Sequence, residues 1–484
     1  MRKAGILMSI TSLPSDYGIG CFSDEAYRFI DFLKSAHQTY WQILPIGATS
    51  FGDSPYQSFS SFAGNPYFID LKSLIGEGVL DKSLCDSTDF GTDNTQIDYG
   101  KLYQARFMLL HIAYKNTDLS SDDGYKDFIE KNAFWLDDYA EFMTLKERND
   151  GKAWNEWETC EVLDETEPGF WKYVQYKFFT QWQSLKKYAN DNGVMIIGDM
   201  PIYVSYDSVD VWKNPHLFEL DENGTPINVA GCPPDGFSET GQLWSNPLYR
   251  WDMHEKENFS WWISRIEYAF TLFDVLRIDH FRGFSEYYSI PFGASTARDG
   301  VWVEAPGDAL FKAIRQELGR REIIAEDLGF ITDSVRDLLD TCGFMGMKVF
   351  EFAFDSRDDN GVSTYMPHNY PNNCIAKTAT HDNEPVTSWF CYLTDCEKRM
   401  VRDYLCDYYT PDSEIAIPFI AEIMKSRAGI VIVPVQDYLK KGSESRINTP
   451  QTVGQNWRWR IEKHELSQTL RDEIGLMTKL YERD

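Results

Sequence analysis

Eight short apolar runs recur along the chain, and many of them end in charged or polar residues. They are "GILMSI" (5–10), "YWQILPIG" (40–47), "VMIIGDMP" (194–201), "FDVLRIDH" (273–280), "EIIAED" (322–327), "MKVFEFAF" (347–354), "CIAKTATHD" (374–382) and "GIVIVPVQD" (429–437). Runs this continuous suit parallel strands covered on both faces, because a half-exposed strand would alternate apolar and polar residues. Helical patterns lie between several of them. After the first run Ser23 or Asp24 can cap a helix whose stripe is Ala26, Phe29, Ile30 and Leu33. After the fifth, Thr332 or Asp333 can cap another, with Gly343 just past its end. Eight strands alternating with helices predict an α/β fold, a (β/α)8 TIM barrel.

The spacing predicts how the barrel is elaborated. One catalytic barrel is expected to span 1–484. A mainly helical subdomain is inserted at 48–193, between the second and third strands. A substrate-covering insert of loop and helix follows at 202–272, rich in Trp, Pro and Gly. Beyond the eighth run only a closing helix is expected, with no C-terminal β-sandwich.

Charge narrows the partners. The formal net charge of −28 argues against nucleic acid and anionic membrane, which need a basic surface. Fifteen Trp and 27 Tyr supply either core packing or flat faces for sugar rings. Nine Cys without C-x-x-C spacing point to a reducing compartment. The apolar start is too short for a signal peptide and no run reaches a membrane span, so a cytoplasmic location is expected.

In a barrel of parallel strands, all strand C-termini meet at one rim, where active sites lie. Asp199 ends the third run, Arg277, Asp279 and His280 the fourth, and Glu326 and Asp327 the fifth. His381 and Asp382 end the seventh, and Gln436 and Asp437 the eighth. Arg277 and Asp279 are two apart and share a strand face. They can form an ion pair that serves the site or one that only fixes the strand. Paired carboxylates cleave glycosidic bonds, one ionised as nucleophile and one protonated as acid. Asp279 beside Arg277 is the natural ionised member. Glu326, after Ile323, Ile324 and Ala325, is the natural acid, its pKa raised by apolar surroundings.

Other chemistries have less support. Neither phosphate-binding glycine motif is present. The first run lacks the H-x-H of metal-dependent barrel hydrolases. A hard cation such as Ca²⁺ stays open as a rival, but "DSRDDN" (355–360) lacks EF-hand spacing and reads as a solvated loop. No metal and no cofactor is expected.

Longer motifs add a resemblance. "FGDSPYQSFSSFAGNPYFIDL", "IIGDMPIYV", "PPDGFSETGQLWSNPLYRWD", "LRIDHFRGF", "IIAEDLG", "GMKVFEFAF" and "THDN" occur in order, from "TSLPSDYGIG" to "GQNWRWR". Nearly end to end, the chain resembles the 4-α-glucanotransferases called amylomaltase or disproportionating enzyme, in the α-amylase clan. The resemblance implies Asp279 as nucleophile, Glu326 as general acid/base and Asp382 as a third carboxylate gripping ring hydroxyls. It implies that Arg277 holds Asp279 ionised. Asp199, His381 and Tyr56 would line the same sugar subsite, Tyr56 with a stacking face, and Trp244 and Phe237 would shape the sugar path in mobile loops. Tyr56 and Trp244 fit loop packing as well, and His381 fits a strand-end cap. Two positions depart from the family pattern. Gly236 precedes Phe237 where some relatives carry two aromatics, and Phe51 stands where a Tyr is often seen.

The implied reaction is retaining transfer of α-1,4-glucan segments from a maltooligosaccharide, starch or glycogen donor to the 4-hydroxyl of an acceptor. An α-1,4-glucan hydrolase of the same clan and a silent glucan-binding protein are the alternatives. The intact set of three carboxylates argues against the silent one.

Overall fold

The structure is a computed structural model that describes residues 2–159, 161–162, 166–234, 238–329, 331–355, 362–450 and 452–484. Gly236 and Phe237, residues 356–360 of the acidic stretch and the side chain of Phe51 lie outside the described residues.

Among the described residues twelve strands are formed: β1 (Lys3–Leu7), β2 (Tyr40–Gln42), β3 (Met195–Met200), β4 (Asn228–Cys232), β5 (Gln242–Pro247), β6 (Val275–Ile278), β7 (Glu286–Pro291), β8 (Val301–Glu304), β9 (Ile323–Ala325), β10 (Gly346–Val349), β11 (Cys374–Lys377) and β12 (Ile430–Pro434). Eight of them pair in the order β10-β11-β12-β1-β2-β3-β6-β9, all parallel. A parallel bridge between Ile324 and Met345 joins β9 back to β10 and closes the barrel. Each expected apolar run contributes one of these eight strands, so the chain is the predicted (β/α)8 barrel.

Period-2 geometry sorts the strand residues. Leu7, Tyr40, Ile197, Val275, Ile324, Met347, Ile375 and Ile432 fill the barrel interior as one apolar cluster. Their neighbours Ile6, Trp41, Ile196, Leu276, Ile323, Ala376 and Val433 face the helices and join a second, larger core. The helix Asp24–Ser35 buries the predicted stripe, with Phe32 in addition. Ser23 is its N-cap but makes no side-chain cap bond, and Asp24 and Glu25 complement the dipole instead. The helix Asp333–Cys342 ends on Gly343 at φ 71°, the left-handed cap that glycine favours.

Residues 48–193 form the long helices Tyr99–Asn116, Asp123–Arg148 and Thr166–Asp191. The last of these packs on Asp24–Ser35 and leads into β3, so it occupies the place of the barrel's own second helix. The stretch 202–272 differs from a loop-and-helix insert. Its β4 and β5 join β7 and β8 in an antiparallel sheet, ordered β5-β4-β7-β8, around Val229, Tyr288, Ile290 and Ala297. Gly231 makes this possible, because a Cβ there would lie 2.1 Å from the carbonyl oxygen of Gln242 on the paired strand.

Candidate active site

Val275 points into the barrel interior, so Arg277 and Asp279 continue up the same face to the rim. The Arg277 side chain is 3% exposed and is the hub of the site. Its Nη1 pairs with the buried Asp199 of β3. Its Nη2 donates to Asp279 Oδ1 at 3.1 Å and to Glu326 Oε2 at 2.5 Å. Two oxygens bound to one nitrogen cannot be further apart than the sum of those distances. That is closer than the roughly 6.5–9.5 Å that inverting glycosidases leave for a water between their carboxyls. The side chains of Asp279 and Glu326 are 27% and 21% exposed, so both open to the cleft.

Asp279 and Glu326 lie close enough on Arg277 Nη2 to titrate as a coupled pair. Burial, and then the charge of Glu326, push the Asp279 carboxyl well above the usual range against the pull of Arg277. Burial raises Glu326 too, but Arg277, the bond from Asp279 and the His280 backbone N–H at 3.2 Å outweigh it, and its pKa is lowered. The two carboxyls are therefore shifted in opposite directions. The reason is geometric: the guanidinium lies closer to Glu326 than to Asp279.

The other expected residues flank this pair. Tyr56 Oη donates to Asp199 Oδ2 at 2.8 Å. Its ring stacks on His381 with centroids 5.2 Å apart and planes at 13°, so one of its faces is already covered. Burial lowers the His381 pKa, against the pull of Asp382. His381 Nε2 lies 3.3 Å from Asp382 Oδ1. Trp244 meets His280 edge to face at 4.9 Å and donates from Nε1 to Gln242 Oε1 at 3.0 Å. Phe237 lies outside the described residues.

Three rim residues turn elsewhere. Asp327 Oδ1 accepts from the Met347 N–H at 2.5 Å. Gln436 Nε2 donates to the Ser445 carbonyl at 3.2 Å. Asp437 is fully buried and accepts from Thr378 Oγ1 and from the Val386 N–H. All three fix backbone rather than line the cleft. Conversely, two residues beyond β12 join the site unpredicted. Asn448 Nδ2 donates to Asp382 Oδ1 at 2.6 Å, and Arg446 donates to the Asp382 carbonyl and to Glu384. Their only mark in the sequence is a polar loop after the last strand.

A family model described as 4-alpha-glucanotransferase matches residues 8–467. The 4-alpha-glucanotransferase of Clostridium butyricum is 44% identical, over 98% of this chain and 100% of the relative. That of Streptococcus pneumoniae is 44% identical, over 100% of this chain and 97% of the relative. The solved amylomaltase of Streptococcus agalactiae, in complex with acarbose, superposes with a TM-score of 0.95 at 43% identity, covering 100% of both chains. Likeness of this extent in sequence and in backbone, with paired carboxylates at the barrel rim, makes the chain a member of the 4-alpha-glucanotransferase family.

Proposed function

We propose that the chain transfers α-1,4-glucan segments by double displacement at Asp279 and Glu326. As a 4-alpha-glucanotransferase it moves part of a donor maltooligosaccharide, starch or glycogen chain to the 4-hydroxyl of an acceptor glucose or glucan. The observation that carries the mechanism is the grip of one Arg277 nitrogen on both carboxylates. It supports a separation that suits direct attack.

A sugar seated between the two carboxyls finds Glu326 protonated and Asp279 ionised against Arg277. Glu326 gives that proton to the glycosidic oxygen as the C1–O bond breaks, and Asp279 closes an ester to C1. The leaving glucan departs. The acceptor 4-hydroxyl then passes its proton to Glu326 and takes C1 from Asp279. Asp382, held by Asn448, grips ring hydroxyls of the cleaved sugar. Tyr56, Asp199 and His381 wall the same subsite, and Trp244 lines the approach.

The same reading treats 1–484 as one catalytic unit, with 48–193 as an inserted subdomain and 202–272 as cover for the glucan. Long aromatic-rich loops over the cleft favour a sugar acceptor over water. Among the described residues no helix is long and apolar enough to cross a membrane. A cytoplasmic location is part of the proposal.

Maltotriose tests the transfer. The protein should yield glucose together with shorter and longer maltooligosaccharides, while total reducing ends stay nearly constant. Reducing ends that rise in step with substrate loss, with nothing longer than maltotriose, would make water the acceptor.

A further inference from the structure

Lys377 is a charged residue inside the barrel that the proposed mechanism does not use. It ends β11 and is 1% exposed. Ile375, two residues earlier, belongs to the interior apolar cluster, so Lys377 points inward one layer higher. Its Nζ donates to Gln42 Oε1 at 2.5 Å. Gln42 ends β2 and is equally buried. Two strands, β12 and β1, separate β11 from β2 in the sheet, so this bond spans the interior rather than joining neighbours. Among the described residues the Gln42 Nε2 has no partner of its own. No carboxylate is close enough to ion-pair with Lys377 among the described residues.

The charges that face Lys377 are Arg277 and Asp199 from β6 and β3 and Glu326 beyond β9. The strands beside it present apolar residues in register with it, Val349 from β10 and Ile432 from β12. Asp437 bonds Thr378, on the opposite face of the strand. Burial first, and then Arg277, bring the Lys377 pKa down to about 7. The ammonium is therefore present at mildly acidic pH and fades above neutrality.

The site it faces is short of positive charge. Asp199 and the one-proton pair carry two negative charges against the single guanidinium of Arg277. A charged Lys377 brings this sum to zero. Such a neighbour opposes the uptake of a second proton by Asp279 and Glu326, the event that would abolish the nucleophile.

We propose that Lys377 is a positioning residue for the reaction: held by Gln42 beneath the rim, its ammonium keeps the Asp279–Glu326 pair at one proton as the pH falls. The inference rests on that pair being the catalytic one. The residue touches no substrate and acts through the field at the pair.

The test is the pH profile of maltotriose transfer for Lys377→Met and Lys377→Arg, with folding checked by circular dichroism and Tm. In Lys377→Met the acid limb should move upward by about half to one unit, so the rate falls about 3–10-fold more than wild type between pH 7 and pH 5. The alkaline limb should hardly move, since the native lysine is uncharged there. Lys377→Arg keeps the charge and should restore the native acid limb. If Lys377→Met does not fold, Lys377→Gln, which can still bond Gln42, gives the same readout. Folded neutral variants whose profiles overlay the native one after scaling would overturn the inference. So would an arginine variant shifted as far as the neutral ones. If Asp279→Asn or Glu326→Gln retains full turnover, the pair reading fails instead, and that result is separable from any shift at Lys377.

Discussion

Two parts of the barrel rim bury acidic residues and use them differently. At β6 and β9, Asp279 and Glu326 share Arg277 and reach the cleft. At β11 and β12, Asp437 is sealed, and its oxygens are taken by Thr378 and the Val386 N–H at the start of the helix Val386–Tyr392. Glu351 lies nearby, one carboxyl oxygen without a partner among the described residues; burial and then Asp437 push its carboxyl well above the usual range, with Arg446 pulling the other way. Both regions follow apolar strands, and both perturb pKa values. The difference is access and a common cation: one pair opens on the cleft beside Arg277, whereas Asp437 is spent on a hydroxyl and a backbone N–H. A perturbed carboxylate marks chemistry when it opens on the cleft.

The comparison breaks most visibly at Glu326. Glu326→Gln should lower transfer from maltotriose by about 10²–10⁴-fold. The loss should be smaller with α-glucosyl fluoride, whose leaving group needs little protonation. Equal losses with both donors would remove Glu326 from the acid role.

An intermediate effect should come from Asn448. Its bond to Asp382 is a charge-assisted one, and Asn448→Ala should cost about 10–100-fold in kcat/KM. Stability should stay close to native, because the contact lies at the half-exposed edge of the cleft. A thermal shift without a kinetic loss would put Asn448 with the sealed acids instead.

The sealed region should answer in stability. Asp437→Ala strands a hydroxyl and an N–H and should cost about 1–3 kcal/mol of folding free energy, with kcat near native. Asp437 also imposes a pH slope. Burial raises its folded pKa to about 6, above an unfolded value near 3.9, so the protonated form is the one folding favours. Its contribution is present at low pH and is lost as pH rises from about 4 to 6. Asp437→Asn should flatten that fall in a series of Tm measurements. A fall that persists unchanged would assign the slope to other acids.

The barrel was legible in the sequence because eight parallel strands, covered on both faces, read as uninterrupted apolar runs. Arg277 and Asp279 were legible because charge in such a run is costly and has to be paired. The small sheet was not legible. Gly231 and Cys232 in β4, and Ser245 with a positive φ in β5, break any alternation, and β4 makes its pairs with β7 across β6. Asp437 carried the same mark as Asp279 but a different meaning. The chain turns helical at Val435, just past Pro434, and that turn swings Asp437 off the rim. Sequence reports that a charge sits at a strand end but not where it points. Arg446 and Asn448 escaped because they reach Asp382 from more than sixty residues away along the chain. Lys377 escaped although it carries the mark, a lysine inside "CIAKTATHD". Which carboxylate lies nearer Arg277 was beyond sequence altogether.

The assignment of Asp279 as nucleophile is tested most directly by trapping. Glu326→Gln enzyme, given α-glucosyl fluoride without an acceptor, should form the ester faster than it can release it. Intact-mass spectrometry should then find one added glucosyl group, and peptide mapping should place it on Asp279. A double variant that also carries Asp279→Asn should show no adduct. An adduct on any other residue, or one that survives Asp279→Asn, would contradict the assignment.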